Sequence, residues 1–415
     1  MSRLAAALAA VFTACLAGCV YLYFGYPALL LALRRRRPRP VARGPIRPWV
    51  TVVVPAHDEE AVIGEKVRNA LGLDYPPDRL EVIVVSDGST DRTDELVRAE
   101  IAAAPAGGPR VRLLSLPRGG KAAALDAGAA AASGEVLVLT DANSALASDA
   151  LVRLVEPFAD PEVGGVCGNK RLRAGARRRA PTRGADAVER EEGLYWRYDQ
   201  WIKSLESSVG SVFAADGGLW ALRRELYVPM ADPAQADDIA LSARVVLQGR
   251  RLVFEPGAVA WEEAPEEGRQ ELARKVRVTN HSVRALLGLG NGLWTSGFYS
   301  FQLLSHKLFR HLVPFLLVPM LAANLALAAV GGPAAPSFRL VALGHLGFYG
   351  LAGAGWLLRG RPAGRRRWLS VPYYFTLVNT AALLGVLSIL GGRRLAAWTP
   401  RAGLGGAAPT SEEGS

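Results

Sequence analysis

Hydrophobic and polar positions divide the chain into stretches of different character. Leu4 to Leu33 carries no charged residue. It exceeds the ~20 apolar residues that cross a bilayer as a helix, which predicts one span, with tilt or a break near Pro27 absorbing the surplus. Three later apolar runs, about 312–330, 340–358 and 369–390, predict three more. Between them the pattern shortens. "WVTVVVP", "EVIVVS", "VRLLSL" and "VLVLT" are aliphatic runs of the kind that become strands buried on both faces. Helix-length segments, Asp58–Leu71, Asp91–Ala103 and Lys121–Ala132, separate them. Strands alternating with helices predict a parallel sheet covered on both sides, an α/β nucleotide-binding fold.

The rest of the globular region is less regular. "EEGLYWRYDQWIKSLESSVGS" predicts an aromatic-rich helix, and "DDIALSARVVLQG" a helix stopped by Gly249. "RLVFEP" predicts one further strand. "LWTSGFYSFQLLSHKLFRHL" mixes aromatics with Lys307 and Arg310, as a helix lying in the membrane interface does. "RPRPVARGPIRP" is too rich in proline for a helix or a central strand. The expected organisation is a transmembrane helix (1–36), a linker (37–48), a cytoplasmic domain (49–292), an interfacial helix (293–310), three spans (311–391) and a tail (392–415).

The formal charge of +11 over 415 residues is clustered at Arg34–Arg37 and at Arg359, Arg361 and Arg365–Arg367. Basic residues beside spans mark the cytoplasmic side. They therefore read as topology signals of a multi-pass protein of the plasma (inner) membrane, with the globular domain in the cytoplasm. Strict alternation puts the tail outside, whereas Arg393, Arg394 and Arg401 favour inside, and the sequence leaves that side open. No helix-turn-helix, zinc-finger or RNP pattern accompanies the charge, so nucleic acid is not expected. Cys15, Cys19 and Cys167 form no disulfide framework or metal spacing. "LAGC" has the form of a lipoprotein cleavage box, but the chain stays apolar after Cys19, so a retained helix is expected. The basic loop Lys170–Arg183 reads as solvated or facing anionic lipid. Tyr195, Trp196, Tyr198 and Trp201 read as packed or membrane-facing before sugar-stacking.

Chemistry-bearing residues stand where the aliphatic strands end. In open α/β sheets ligands bind beyond the carboxyl ends of the strands. Asp141 and Asn143 follow "VLVLT"; a hard cation takes carboxylate and amide oxygens and shares itself with substrate phosphate. Taken alone, the same residues make an ordinary turn. Asp87 ends "EVIVVS", with Gly88 after it for a tight turn. "RGGKAAALDAG" puts two glycines and Lys121 at a helix N-terminus, where free N–H groups and an ammonium suit a diphosphate. Simple capping and a solvated lysine are the alternative. Asp237 and Asp238 precede an apolar helix. One acid suffices as a cap, which leaves the other as a general base for an acceptor hydroxyl.

Over about residues 49–310 these segments resemble the membrane-bound inverting glycosyltransferases of family 2, with the GT-A fold, such as poly-N-acetylglucosamine, hyaluronan and cellulose synthase-type enzymes. "VVVPAHDEE" resembles the opening strand and loop that hold the nucleoside, which implies donor contacts at Pro55, Ala56 and Glu59, with Asp58 in place of the more usual Asn. The resemblance implies a uracil or metal-side role for Asp87, a diphosphate contact at Lys121, and Mg²⁺ or Mn²⁺ held by Asp141 and Asn143 beside the donor. "DDIAL" is similar to the TEDxxL-type element, implying Asp238 as catalytic base and Asp237 on the acceptor side. "FAADGGLWALRREL" resembles the acceptor-side segment, implying Gly217, Gly218 and Trp220, and "SHKLFRHLVP" resembles the interfacial segment of polysaccharide synthases. Processive members carry QxxRW; "LARKVRVTNHS" keeps the charge, with Arg277 as implied diphosphate contact, but has neither Gln nor Trp in register. That departure counts against long-chain processive synthesis. The implied activity moves a sugar from a nucleotide-diphosphate sugar, a UDP-sugar by preference, to a polysaccharide or lipid-linked acceptor, with membrane lipids and export components as candidate partners. The alternatives are a single-sugar transferase acting on a lipid carrier and an inactive scaffold of a polysaccharide export complex. A sugar nucleotidyltransferase would need a glycine-rich nucleotide loop near its start and no spans.

Overall fold

The computed structural model describes residues 3–173, 185–230, 235–263, 269–330, 335–359 and 361–393. The aliphatic runs form strands β1 (Val50–Ala56), β2 (Leu80–Asp87), β3 (Arg110–Leu116) and β4 (Val136–Leu139). β1 pairs in parallel with β2 and β4, and β2 with β3. β1, β2 and β4 are buried along their whole length, as continuous aliphatic runs require. Helices Ile63–Leu71, Thr93–Ala103 and Lys121–Ala131 are the crossovers. Val52 and Val54 face a core with Ile63 and Val67; Val53, Ile83 and Val85 face Ala124, Leu125 and Ala129. The alanine-rich helix Lys121–Ala131 lies close to the sheet: a Cβ on Gly128 would fall 2.4 Å from Val53 Cγ1. Gly128→Ala is therefore expected to lower stability by about 1–3 kcal/mol through overpacking, read as a fall in the thermal or denaturant midpoint.

The parallel run predicted from the sequence covers these four strands, and β6 and β8 form a second parallel pair beyond them. Among the described residues the sheet has eight strands, in the order β3-β2-β1-β4-β7-β6-β8-β5. β5 (Ala145–Leu146), β6 (Val163–Arg173) and β7 (Trp220–Arg223) were not anticipated, and "RLVFEP" is only the first part of β8 (Arg251–Glu263). β7 runs antiparallel to β4 and β6, so the sheet is mixed. The sequence hides these strands for plain reasons. β6 is "VGGVCGNKRLR", rich in glycine and charge, and β7 is four residues long. The helices Ala185–Val209 and Asp237–Leu247 follow expectation, the second stopped by Gly249 at φ 81°.

Among the described residues, four helices are long and apolar enough to cross a membrane: Arg3–Arg36, Phe298–Val330, Ala335–Leu357 and Arg367–Leu390. The first stays continuous through Pro27 instead of breaking there. Proline has no N–H for the carbonyl of residue 23; a π-turn at Tyr21–Gly25 precedes it, and the Tyr198 hydroxyl donates to that Tyr23 oxygen at 3.0 Å. The expected interfacial helix 293–310 is divided. A short helix, Gly292–Thr295, ends near Gly297 at φ 61°, a conformation glycine adopts freely. From Phe298 the chain runs through a π-turn, Leu303–Leu308, straight into the second apolar helix. Of the two basic residues that suggested an interface, Arg310 lies 3.6 Å from Asp199 of Ala185–Val209, and beside them His306 Nδ1 is 2.9 Å from Glu206 Oε1 of the same helix. Residues 394–415, with Arg394 and Arg401, and most of the basic loop (174–183) lie outside the described residues.

Candidate active site

The parallel strands deliver Ala56, Asp87 and Asp141 to the same edge of the sheet. Asp87 is fully buried. Its oxygens accept from Gly119 N–H at 2.6 Å and from Gly120 N–H at 3.0 and 2.9 Å, and they pair with Arg118. The carboxylate that was expected to meet the donor thus shapes the turn leading to Lys121, and the glycine N–H groups expected around a diphosphate point at Asp87. Gly88, at φ 61°, is needed because a Cβ there would lie 2.7 Å from the Arg118 nitrogen.

Lys121 then projects from the first turn of its helix. Its Nζ lies 2.8 Å from Asp141 Oδ1 and 3.0 Å from Asp237 Oδ2. Burial disfavours a charged amine, yet the two carboxylates outweigh it and hold the ammonium well above its usual range. Asp141 is half-buried, which works against its charge, and Lys121 nevertheless keeps it below the usual carboxylate range. Asp238, next in sequence, behaves oppositely. Burial and the neighbouring Asp237 charge push its carboxyl up to about 6, against the pull of Lys307 and Lys121. Asp238 accepts from Ile239 N–H at 2.8 Å.

The segment before β7 closes the cleft from the other side. Ser242 on the Asp238 helix accepts from Ala215 N–H at 3.0 Å. A Cβ on Gly217 would sit 3.3 Å from Asp141 Oδ2, and one on Gly218 only 2.6 Å from Glu262 Oε1. Trp220 corrects the sequence expectation: it is 1% exposed, paired with Leu139 and Cys167, and packed in the core rather than open to an acceptor. The motif "GGLW" concealed a strand start, and strand geometry turns that indole inward.

Pro55 and Ala56 are buried residues at the carboxyl end of β1. Glu59 N–H donates to Thr93 Oγ1 at 2.8 Å. The loop around it is stitched to the turn after β2 by Thr90 N–H on Asp58 Oδ1 at 2.7 Å and Glu60 N–H on Asp91 Oδ2 at 3.0 Å. Asp58 takes φ 50°, a region Asn tolerates equally, which accounts for the exchange noted in the sequence. Arg277 stands on the helix Arg269–Leu287, one turn before His281, whose carbonyl accepts from Ala236 N–H at 3.2 Å. That contact brings its helix to the start of Asp237–Leu247, while the Lys121 ion pairs form without it.

Residues 51–227 match the family described as Glycosyl transferase family 2. The chain carries a family 2 glycosyltransferase domain. The domain is similar to the probable glycosyltransferase YdaM of Bacillus subtilis, 30% identical over 53% of this chain and 51% of that protein. It is similar to the beta-monoglucosyldiacylglycerol synthase of Nostoc, 32% identical over 43% and 36%. It is also similar to the poly-beta-1,6-N-acetyl-D-glucosamine synthase of Staphylococcus aureus, 27% identical over 52% and 50%. The match thus spans about half the length of these relatives, or less. Among solved structures, a mannosyltransferase from Pyrobaculum calidifontis in complex with GDP-Man and Mn²⁺ superposes with a TM-score of 0.68 at 25% identity, over 93% of this chain and 99% of that one. The glycosyltransferase domain has the GT-A fold.

Within this glycosyltransferase domain, no group of three or more His, Cys, Asp or Glu among the described residues is placed to hold a metal. Asp141 and half-buried Asn143 offer one carboxylate and one amide on a turn closed by Ser144 N–H to Asp141 O at 3.2 Å. Such a pair suits a hard cation that takes its other ligands from water and a diphosphate. On those terms Mg²⁺ or Mn²⁺ fits. The sequence reading missed the buried lysines around these residues. Lys203, its side chain 1% exposed, pairs with Asp199 at 3.4 Å and with Asp216, next to Gly217. Lys66 is buried with Ile63, Val67 and Ala70 on one helix face. A lysine in register with an apolar stripe is the signal that would have found it.

Proposed function

We propose that this chain transfers a glycosyl group from a nucleotide-diphosphate sugar, a UDP-sugar by preference, to a hydroxyl of a polysaccharide or lipid-linked acceptor, at the cytoplasmic face of the inner membrane and with inversion. The observation that carries this reading is the Lys121 bridge. One ammonium joins Asp141, at the end of β4, to Asp237, beside the candidate base. Lys121 and the first turn of its helix aim positive charge at the place where a departing diphosphate gathers negative charge. A Mg²⁺ or Mn²⁺ ion at Asp141 and Asn143 would neutralise the same leaving group. Asp238 receives the acceptor proton. With a pKa of about 6 it is ionised at neutral pH yet basic enough to serve. The freed oxygen forms the new bond at the anomeric carbon opposite the diphosphate, which leaves with the electron pair. Gly217 and Gly218 keep the acceptor path clear of side chains, and Arg277 adds charge from the neighbouring helix.

A second reading, one sugar added to a lipid acceptor, is favoured by the burial of Trp220, which leaves that residue unable to stack on a growing chain. Export components belong only with the polymer reading. Membranes containing the chain, incubated with radiolabelled UDP- and GDP-sugars, are expected to incorporate label from one donor, and chelation by EDTA is expected to abolish it. Product chain length separates the two acceptors. Incorporation from no donor would contradict the proposal.

A further inference from the structure

We infer that Lys66 is a positioning residue that holds the Asp141–Asn143 turn in its metal-binding shape from beneath, an inference that rests on the reading of those two residues as metal ligands. Lys66 is 3% exposed, and its helix neighbours on the same face are Ile63, Val67 and Ala70. Its Nζ donates to Thr140 Oγ1 at 2.9 Å and to Ser144 O at 2.6 Å. These are the residues that bracket Asp141 to Asn143, so one ammonium clamps both ends of the turn. Thr140 Oγ1 passes the connection on to Gly218 O at 2.7 Å. Ser144 Oγ donates to Glu262 Oε1 at 3.0 Å, and Lys170 stands 3.7 Å from the other Glu262 oxygen. The metal turn and the acceptor-side glycines are thereby fixed to one point.

Packing alone does not account for an amine here. Burial pushes Lys66 down to about 7, against the attraction of Asp141 and Glu262. A methionine of similar length would fill the same space without that desolvation cost. The fold retains a costly group whose donors reach both ends of the turn.

The test is Mn²⁺ binding to the full-length chain in detergent, followed by electron paramagnetic resonance, with UDP and GDP as parallel probes. Lys66→Met is expected to keep the thermal unfolding midpoint of the wild type and to bind Mn²⁺ about 10–100-fold more weakly. Thr140→Val keeps the shape of the side chain and removes only its hydroxyl; it is expected to weaken binding by about 3–10-fold, and it decides the matter if Lys66→Met does not fold. Unchanged Mn²⁺ affinity in the folded variants, beside a wild type that binds, would overturn the inference and leave the metal reading standing. A wild type that binds Mn²⁺ with neither nucleotide would overturn the metal reading first.

Discussion

Asp238→Asn is expected to lower kcat by about 10²–10⁴-fold, with nucleotide affinity unchanged. The amide keeps the shape of the side chain and its bond with Ile239 N–H, but it cannot take a proton at neutral pH. The wild-type rate carries the same information in its pH dependence. Because burial and Asp237 raise Asp238 to about 6, kcat/KM should be level above that pH and fall as the base becomes protonated below it. The stability effect has the opposite sign. Asp238 binds its proton more tightly folded than at its ordinary value of 3.8. The folded state therefore loses stability as pH rises from about 4 to about 6, and the loss is complete above that. Asp238→Asn should accordingly be at least as stable as wild type at pH 7.5, with no advantage near pH 3. An inactive scaffold would instead show unchanged polymer output with this variant in a complementation test.

Lys121→Met is the second large effect. Removing the ammonium leaves Asp141 and Asp237 facing one another without their shared cation, and it takes away charge from the leaving diphosphate. A loss of about 10²–10³ in kcat/KM follows if Lys121 acts as one preorganised donor to developing charge. The Michaelis constant for the donor should rise as well, since Lys121 also meets the ground-state diphosphate. All three side chains are between a fifth and a third exposed, so solvent screening should keep the stability cost modest. Donor saturation curves for Lys121→Met and Lys121→Arg check this, with the arginine variant expected to fall between.

Much of this site was legible because parallel-sheet chemistry writes itself locally. Aliphatic runs ending in Asp87 and Asp141 announce buried strands with polar tips, and glycine-lysine before an alanine-rich stretch announces a helix start. Lys121, Asp141, Asp237 and Asp238 then come together by topology alone. What stayed hidden depends on long-range pairing. Nothing local says that "WALR" pairs with β4, so Trp220 looked available when its strand partners bury it. Asp87 ends its strand as the sequence indicates, but the hydrogen bonds it accepts come from a turn more than thirty residues away and are not visible locally. Pro27 suggested a break because the sequence does not display Tyr198 reaching across to the stranded carbonyl. Lys66 and Lys203 drew no attention in the sequence because their burial depends on elements that pack over them in the fold.

The claim beneath all of this is that Lys121 unites the donor and acceptor sides of one cleft. A double-mutant cycle on kcat/KM for a labelled nucleotide sugar, using Lys121→Met, Asp237→Asn and the pair, tests it most directly. If the bridge operates, the double variant loses far less than the product of the two single losses, because each alone already breaks the same contact. Losses that simply multiply would mean that the two residues act apart, and the account would be contradicted.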